Sequence, residues 1–213
     1  MRSSEISDEH EMILVEYAQG GCAESFGELV CRYQVPLVHF LRQRAANYHD
    51  AEDLTQEVFW RAYDQLDRYH SDYAFKTWLF TIAQRLLLNQ RRRRTIACCQ
   101  TDTLSQAAVD QPDAGRQLEI DEQRRNLWTV ATEELTDSQF TALWLFYVEQ
   151  MTTGDIARVL GCTRVSVKTG LFRARRKLRR RLVSPATAPT KSLDPDVYAA
   201  SLMRQLTMEL DHD

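Results

Sequence analysis

Apolar residues recur at spacings of three and four along most of the chain, and strand-like alternation is scarce, so the pattern predicts an all-α protein. Residues 8–19 read as a short amphipathic helix that Gly20 and Gly21 end. Ser25 is placed to cap a second helix, in which Phe26, Leu29, Val30, Tyr33, Leu37, Phe40 and Leu41 keep helical spacing to about Ala46. Pro36 lies inside that run and predicts a kink or a break. Asp50 opens a third helix reaching Tyr69, with an acidic first turn that suits the helix dipole. Its Leu54, Val58, Ala62 and Leu66 face in, which leaves Asp53, Gln56, Glu57 and Trp60 outside. A polar loop, His70 to Tyr73, leads to a helix with Phe75, Trp78, Leu79, Ile82 and Leu86 inward, ending in Arg91, Arg92, Arg93 and Arg94.

Residues 95–117 change character. They are small and polar, with Pro112 and Gly115, and read as an interdomain linker. A helix over 118–134 follows, and then a capping box of Thr136 and Gln139 starts a helix with Phe140, Leu143, Trp144 and Tyr147 inward. In the stretch Thr152–Leu182, Thr152 and Asp155 cap a short helix whose Ile156, Ala157 and Leu160 are apolar. Gly161 supplies a sharp turn, Thr163 caps the next helix, and Val167, Leu171, Ala174 and Leu178 form its inner stripe. Arg164, Ser166, Lys168, Thr169, Arg173, Arg175 and Arg176 stay outside it. A short helix, a glycine turn and a helix with a polar, basic outer side is the helix-turn-helix pattern, with short polar residues placed for base edges and arginines for phosphates. A second linker over 184–195 precedes a last amphipathic helix with Ala199, Leu202, Met203, Leu206 and Leu210 on one stripe.

Charge sharpens the DNA reading. The net charge of −3 argues against a surface that binds nucleic acid everywhere. Residues 127–182, however, hold ten Lys and Arg against five Asp and Glu, so the positive field is local. The acidic face of the third helix has a plain alternative as solvated surface. The arginine run can equally serve the helix dipole. Tyr69, Tyr73, Phe75 and Trp78 ahead of that run fit single-strand binding by stacking and charge, or a core alone.

No Ser/His/Asp or Cys/His set, phosphate-cradling glycine loop or metal spacing stands out, so the sequence predicts no enzyme, no cofactor and no metal. The five cysteines form no CxxC pair and read as free thiols. Vicinal Cys98 and Cys99 would suit an oxidant sensor, but nothing in sequence beside them lowers a thiol pKa. No apolar run is long enough to cross a bilayer and the N-terminus lacks the build of a signal peptide, so the expected location is the cytoplasm, without membrane insertion.

Two separate stretches then resemble one family. DAEDLTQEVFWRAY is similar to the D-L-x-Q-E-x-F motif of bacterial sigma factors, through Asp53, Leu54, Gln56, Glu57 and Phe59. FKTWLFTIAQRLLLNQRRR resembles their promoter-melting helix, and residues 135–178 resemble their C-terminal DNA-binding domain. Their order and the short length fit the extracytoplasmic-function (ECF) group of the sigma-70 family. The resemblance implies a region 2-like bundle over 1–94, a linker over 95–117, a region 4-like helix-turn-helix domain over 118–183 and an extension over 184–213. The implied partners are core RNA polymerase (the β′ clamp helices and the β subunit), duplex and single-stranded promoter DNA, and an anti-sigma factor or other regulator. Asp53, Gln56, Glu57 and Trp60 would meet polymerase, with Leu54 and Phe59 in the core. His70, Ser71, Asp72 and Tyr73 would capture a flipped minus-ten base; Lys76, Arg85, Asn89 and Arg91 to Arg94 would hold the non-template strand. Arg164, Val165, Ser166, Lys168, Thr169, Arg173 and Arg176 would meet the minus-35 element.

Gly170 and Phe172 depart from the family pattern, which often has a basic or polar residue and a His there. The rival readings are a two-domain helix-turn-helix regulator that acts without polymerase, and a helical scaffold that binds no DNA.

Overall fold

The computed structural model describes residues 2–45, 47–98 and 127–182, with the backbone alone at 2–9, 94–98 and 182. The chain divides into two compact units, Met1–Gln111 and Pro112–Asp213. All regular structure among the described residues is helical.

The first unit holds α1 (Arg2–Gln19), α2 (Ala23–Arg42), α3 (Tyr48–Asp64), a 3-10 turn (Leu66–Arg68) and α4 (Phe75–Cys98). α2 packs against α1, α3 and α4, so its apolar stripe sits at the centre. Leu29, Leu37, Phe40 and Leu41 of α2 and Phe75, Leu79, Phe80 and Leu87 of α4 are almost fully buried. The Phe40 and Phe80 rings lie 5.4 Å apart. Each such side chain contributes roughly 1.5–3 kcal/mol on burial, which is what gathers these helices.

Several boundaries differ from the sequence reading. α1 begins at Arg2 rather than residue 8, because no Gly or Pro interrupts residues 2–7. Gly21 takes φ 91°, and α2 then starts at Ala23 behind Cys22, which makes no side-chain cap. Ser25 is therefore already helical, and its hydroxyl turns back to Cys22 Sγ at 3.2 Å. Of the kink or break expected at Pro36, the break does not occur: α2 runs unbroken from Ala23 to Arg42, ending short of Ala46. Buried Tyr33 and Leu37 flank the proline, and their packing offsets the roughly 3 kcal/mol that an internal proline costs. α3 opens two residues ahead of Asp50, since the Asn47 side chain accepts from the Asp50 N–H at 2.8 Å. It stops at Asp64, and the 3-10 turn replaces its expected last turn. α4 passes through the arginine run to Cys98, so Arg91 to Arg94 lie within the helix rather than at its end.

In the second unit, α5 covers residues 127–134, followed by α6 (Asp137–Tyr147), α7 (Thr153–Leu160) and α8 (Arg164–Leu182). The Thr136–Gln139 capping box is present in both directions. At α7 the box is altered: Thr152 accepts the Asp155 N–H at 3.2 Å, and its hydroxyl donates to the Asp155 carboxylate at 2.5 Å. Ile156, Ala157 and Val159 are the buried residues of α7, while Leu160 is only half-buried. Gly161 takes the left-handed conformation, φ 62°, that the sharp turn requires. Thr163 then accepts the Ser166 N–H at 3.2 Å and opens α8. α6, α7 and α8 pack on one another through Phe140, Leu143, Ile156, Val167, Leu171, Ala174 and Leu178, all buried. Trp128 of α5 closes this core, with its ring 4.7 Å from Trp144.

α4 also continues through residues 95–98, where the first linker was expected to begin. The rest of both expected linkers, the last helix from Asp194, and the side chains of Arg94, Cys98 and Cys99 lie outside the described residues or side chains.

Candidate polymerase and promoter interfaces

Helical periodicity sorts α3 into two sides. Leu54, Val58, Phe59 and Ala62 are buried, so positions three and four apart at Asp53, Gln56, Glu57 and Trp60 all emerge exposed. Trp60 is 67% exposed, a large aromatic surface left without intramolecular cover. Glu57 is tied to Arg61 at 2.6 Å, which steadies its carboxylate along the helix. Tyr63 continues the same face at 54% exposure, its ring edge against Phe26 at 5.0 Å. The sequence reading omitted it, although its place one turn beyond Trp60 was visible in the spacing.

The loop between the 3-10 turn and α4 projects His70, Ser71 and Asp72 into solvent, while Tyr73 is half-buried. Beneath it lies Tyr69, only 9% exposed, with its ring 5.7 Å from Phe75 and 5.3 Å from Trp78. Burial, with lesser contributions from Glu11 and Tyr73, pushes the Tyr69 hydroxyl up to about 12, so it remains a donor at neutral pH. It donates to the Tyr73 carbonyl at 2.7 Å. The aromatic cluster found in the sequence is thus the loop's floor.

Along α4 the structure separates what the sequence grouped together. Arg85, Asn89, Arg92 and Arg93 are exposed and recur by helical turns. Lys76 belongs with the loop instead, about half a turn out of phase with Arg85. Arg91 is half-buried, and Arg94 carries no described side chain.

On α8, Arg164, Val165, Ser166, Lys168, Thr169, Arg173 and Arg176 are all exposed, and the helix contains no acidic residue. Val165 is 72% exposed. Phe172, at 53% exposure, sits within this face between Lys168 and Arg176, a surface aromatic the sequence reading treated only as a departure. Arg164 leans toward the start of α7, where a Cβ added at Gly154 would come within 3.0 Å of its guanidinium. Arg175 does not join the outer face as expected. It is half-buried, its guanidinium 5.8 Å from the Tyr147 ring and 6.0 Å from that of Phe146. Lys177 donates to the Glu134 carbonyl at 3.0 Å and Arg181 pairs with the Glu134 carboxylate at 2.7 Å, so both fasten α8 to the C-terminal end of α5. Only part of the basic charge is therefore available to a ligand.

The fold and these faces define a helical, two-unit DNA-binding protein with a helix-turn-helix. Comparison with known proteins makes the class specific. Residues 29–96 match the family model Sigma-70 region 2, and residues 125–178 match Sigma-70, region 4. The ECF RNA polymerase sigma factor SigM of Bacillus subtilis is 32% identical over 157 residues, covering 71% of this chain and 91% of that protein. The ECF RNA polymerase sigma-E factor of Escherichia coli K12 is 29% identical over 173 residues, 78% and 90% of the two chains. Among solved structures, the sigma factor RpoE bound to the anti-sigma factor NepR from Bartonella quintana has a similar fold. It aligns with TM-score 0.66 at 22% identity, covering 75% of this chain and 98% of its own. CnrH, in complex with the cytosolic domain of CnrY, aligns with TM-score 0.62 at 24% identity, covering 84% and 99%. The chain belongs to the ECF group of sigma-70 RNA polymerase sigma factors. It is an initiation factor that binds core RNA polymerase and directs it to promoters. Sigma factors regulate transcription rather than catalyse it, and no described helix is long and apolar enough to cross a membrane.

Proposed function

We propose that four faces divide the work of promoter initiation. Asp53, Gln56, Glu57 and Trp60 of α3 dock on the β′ clamp helices of core polymerase, with further contact to the β subunit; their joint exposure on one side of α3 supports this. His70, Ser71, Asp72 and Tyr73 capture an extruded minus-ten base, with Lys76 beside them. Arg85, Asn89 and Arg91 to Arg94 hold the phosphates of the displaced strand. Arg164, Val165, Ser166, Lys168, Thr169, Arg173 and Arg176 enter the major groove of the minus-35 element. The first domain runs to the end of α4 at Cys98 and the second over 118–183, joined by a linker over 99–117 and followed by an extension over 184–213. The chain acts in the cytoplasm, where its polymerase and promoter are, and performs no chemistry of its own. The complexes that RpoE and CnrH form support a protein regulator, an anti-sigma factor, for this chain as well.

One observation carries this reading: the second helix of a helix-turn-helix presents an outer face that is basic, exposed and free of acid. Run-off transcription with purified core polymerase tests it. The chain should initiate from genomic promoters and protect asymmetric DNA only with core enzyme, and Arg173→Ala should lower promoter occupancy. Unchanged occupancy would put Arg173 off the DNA. Failure to initiate from any promoter, or protection of a palindrome by the chain alone, would overturn the proposal in favour of a free-standing regulator.

A further inference from the structure

The loop His70–Tyr73 is held at both ends by residues outside it. Gln19, the last residue of α1, reaches across fifty positions of sequence and donates through Nε2 to the Tyr69 carbonyl at 3.0 Å, where the loop begins. The same nitrogen donates to the Leu66 carbonyl at 2.9 Å, within the preceding 3-10 turn. The Tyr69 carbonyl belongs to the C-cap of the short 3-10 helix, where backbone acceptors run out of helical partners, while the Leu66 carbonyl, at the first residue of that helix, also accepts the Tyr69 N–H at 3.0 Å. At the other end the Tyr69 hydroxyl donates to the Tyr73 carbonyl at 2.7 Å. The Tyr69 ring is wedged among Tyr73, Phe75 and Trp78, so that hydroxyl is set by packing. His70, Ser71 and Asp72 meanwhile remain exposed. A loop whose backbone is fixed below while its side chains point into solvent is preorganised for a ligand, because ordering it upon binding would otherwise weaken capture.

We infer that Gln19 and Tyr69 are positioning residues for promoter melting: they fix the base-capture loop in its competent shape without touching DNA. The inference rests on the reading of His70–Tyr73 as the minus-ten loop. It predicts a division of effects. Removing either donor should leave core-polymerase affinity and closed-complex occupancy unchanged, and slow the opening step that needs the loop.

The experiment uses the full chain with core polymerase on a promoter carrying 2-aminopurine in the minus-ten element. Fluorescence gives the rate of opening, and filter binding at low temperature gives closed-complex occupancy. Gln19→Ala should slow opening by roughly ten-fold, the scale of losing two neutral hydrogen bonds. Gln19→Glu keeps the length but supplies no donor, so it should be as slow as Gln19→Ala, and Gln19→Lys should recover part of the rate. Tyr69→Phe keeps the buried ring and should slow opening by about three- to ten-fold, the scale of one hydrogen bond. It decides the matter if Gln19→Ala does not fold. Opening at the parental rate in Tyr69→Phe and in every folded Gln19 variant would overturn the inference, as would an equal loss of closed complex. Asp72→Ala separates the two levels. If it too leaves opening unchanged, the minus-ten reading of the loop has failed; if it slows opening while the Gln19 and Tyr69 variants do not, only their positioning role has.

Discussion

Gly170 lies inside α8 and offers a perturbation whose sign can be worked out from its surroundings. A helix-interior glycine costs about 1 kcal/mol relative to alanine, mainly through backbone entropy. Its φ lies outside the left-handed region, and a Cβ added there meets nothing within 4 Å, so no clash or strain opposes the gain. Gly170→Ala should therefore stabilise the second unit by about 1 kcal/mol, or roughly 4–8 °C in Tm for a unit of this size. In a Trp60→Phe, Trp78→Phe background, Trp128 and Trp144 report on that unit alone, so thermal unfolding followed by fluorescence isolates it. Ser166 and Arg173 lie one turn away on either side, and both belong to the proposed minus-35 face. If that proposed face meets the minus-35 element, the open space at Gly170 faces DNA, and the added methyl should lower affinity for a minus-35 duplex even as Tm rises. A fall in Tm would refute the propensity argument. A rise with affinity unchanged would show that Gly170 only weakens its turn and that no backbone approach to DNA occurs there.

Other perturbations test separate links. Glu57→Ala removes only an exposed ion pair with Arg61, so stability should move by less than about 0.5 kcal/mol in urea unfolding, while affinity for core polymerase falls in a direct binding assay. Equal affinity would take the α3 face off the polymerase. Thr152→Ala deletes the hydroxyl that caps α7 and should cost about 1 kcal/mol, measured on the same unit; no loss would mean that water replaces the cap. Tyr69 has its folded pKa raised above the unfolded value of 10.0 to about 12. Its neutral form is favoured in the fold, so the contribution is fully present below pH 10 and is lost as pH rises toward about 12. Tm should drop over that window less steeply in Tyr69→Phe than in the parent, and parallel curves would show that the hydroxyl is not buried as described.

How much of this was legible in the sequence depends on whether the determinant was local. The stripe Val167, Leu171, Ala174 and Leu178, the caps at Thr136, Thr152 and Thr163, and the turn at Gly161 follow from rules that act within four residues. The same periodicity exposed Asp53, Gln56, Glu57 and Trp60, since burying one side of α3 fixes the other. Tertiary packing decided the rest. Proline has the same local cost anywhere in a helix interior, and the burial of α2 on both sides of Pro36, through Leu29, Tyr33, Leu37, Phe40 and Leu41, offsets it. Arg175 lies four residues after Leu171 and three before Leu178, at the edge of the inner stripe, and it rests against Phe146 and Tyr147 because its side of α8 faces α6. Lys177 and Arg181 are taken up by Glu134, which no spacing rule links to them. Gln19 reaches Leu66 and Tyr69 only because α1 packs beside the 3-10 turn. Sequence alone determined which faces this chain presents, because amphipathic periods are local; which side chains on and behind those faces are already engaged depended on partners far away in the chain.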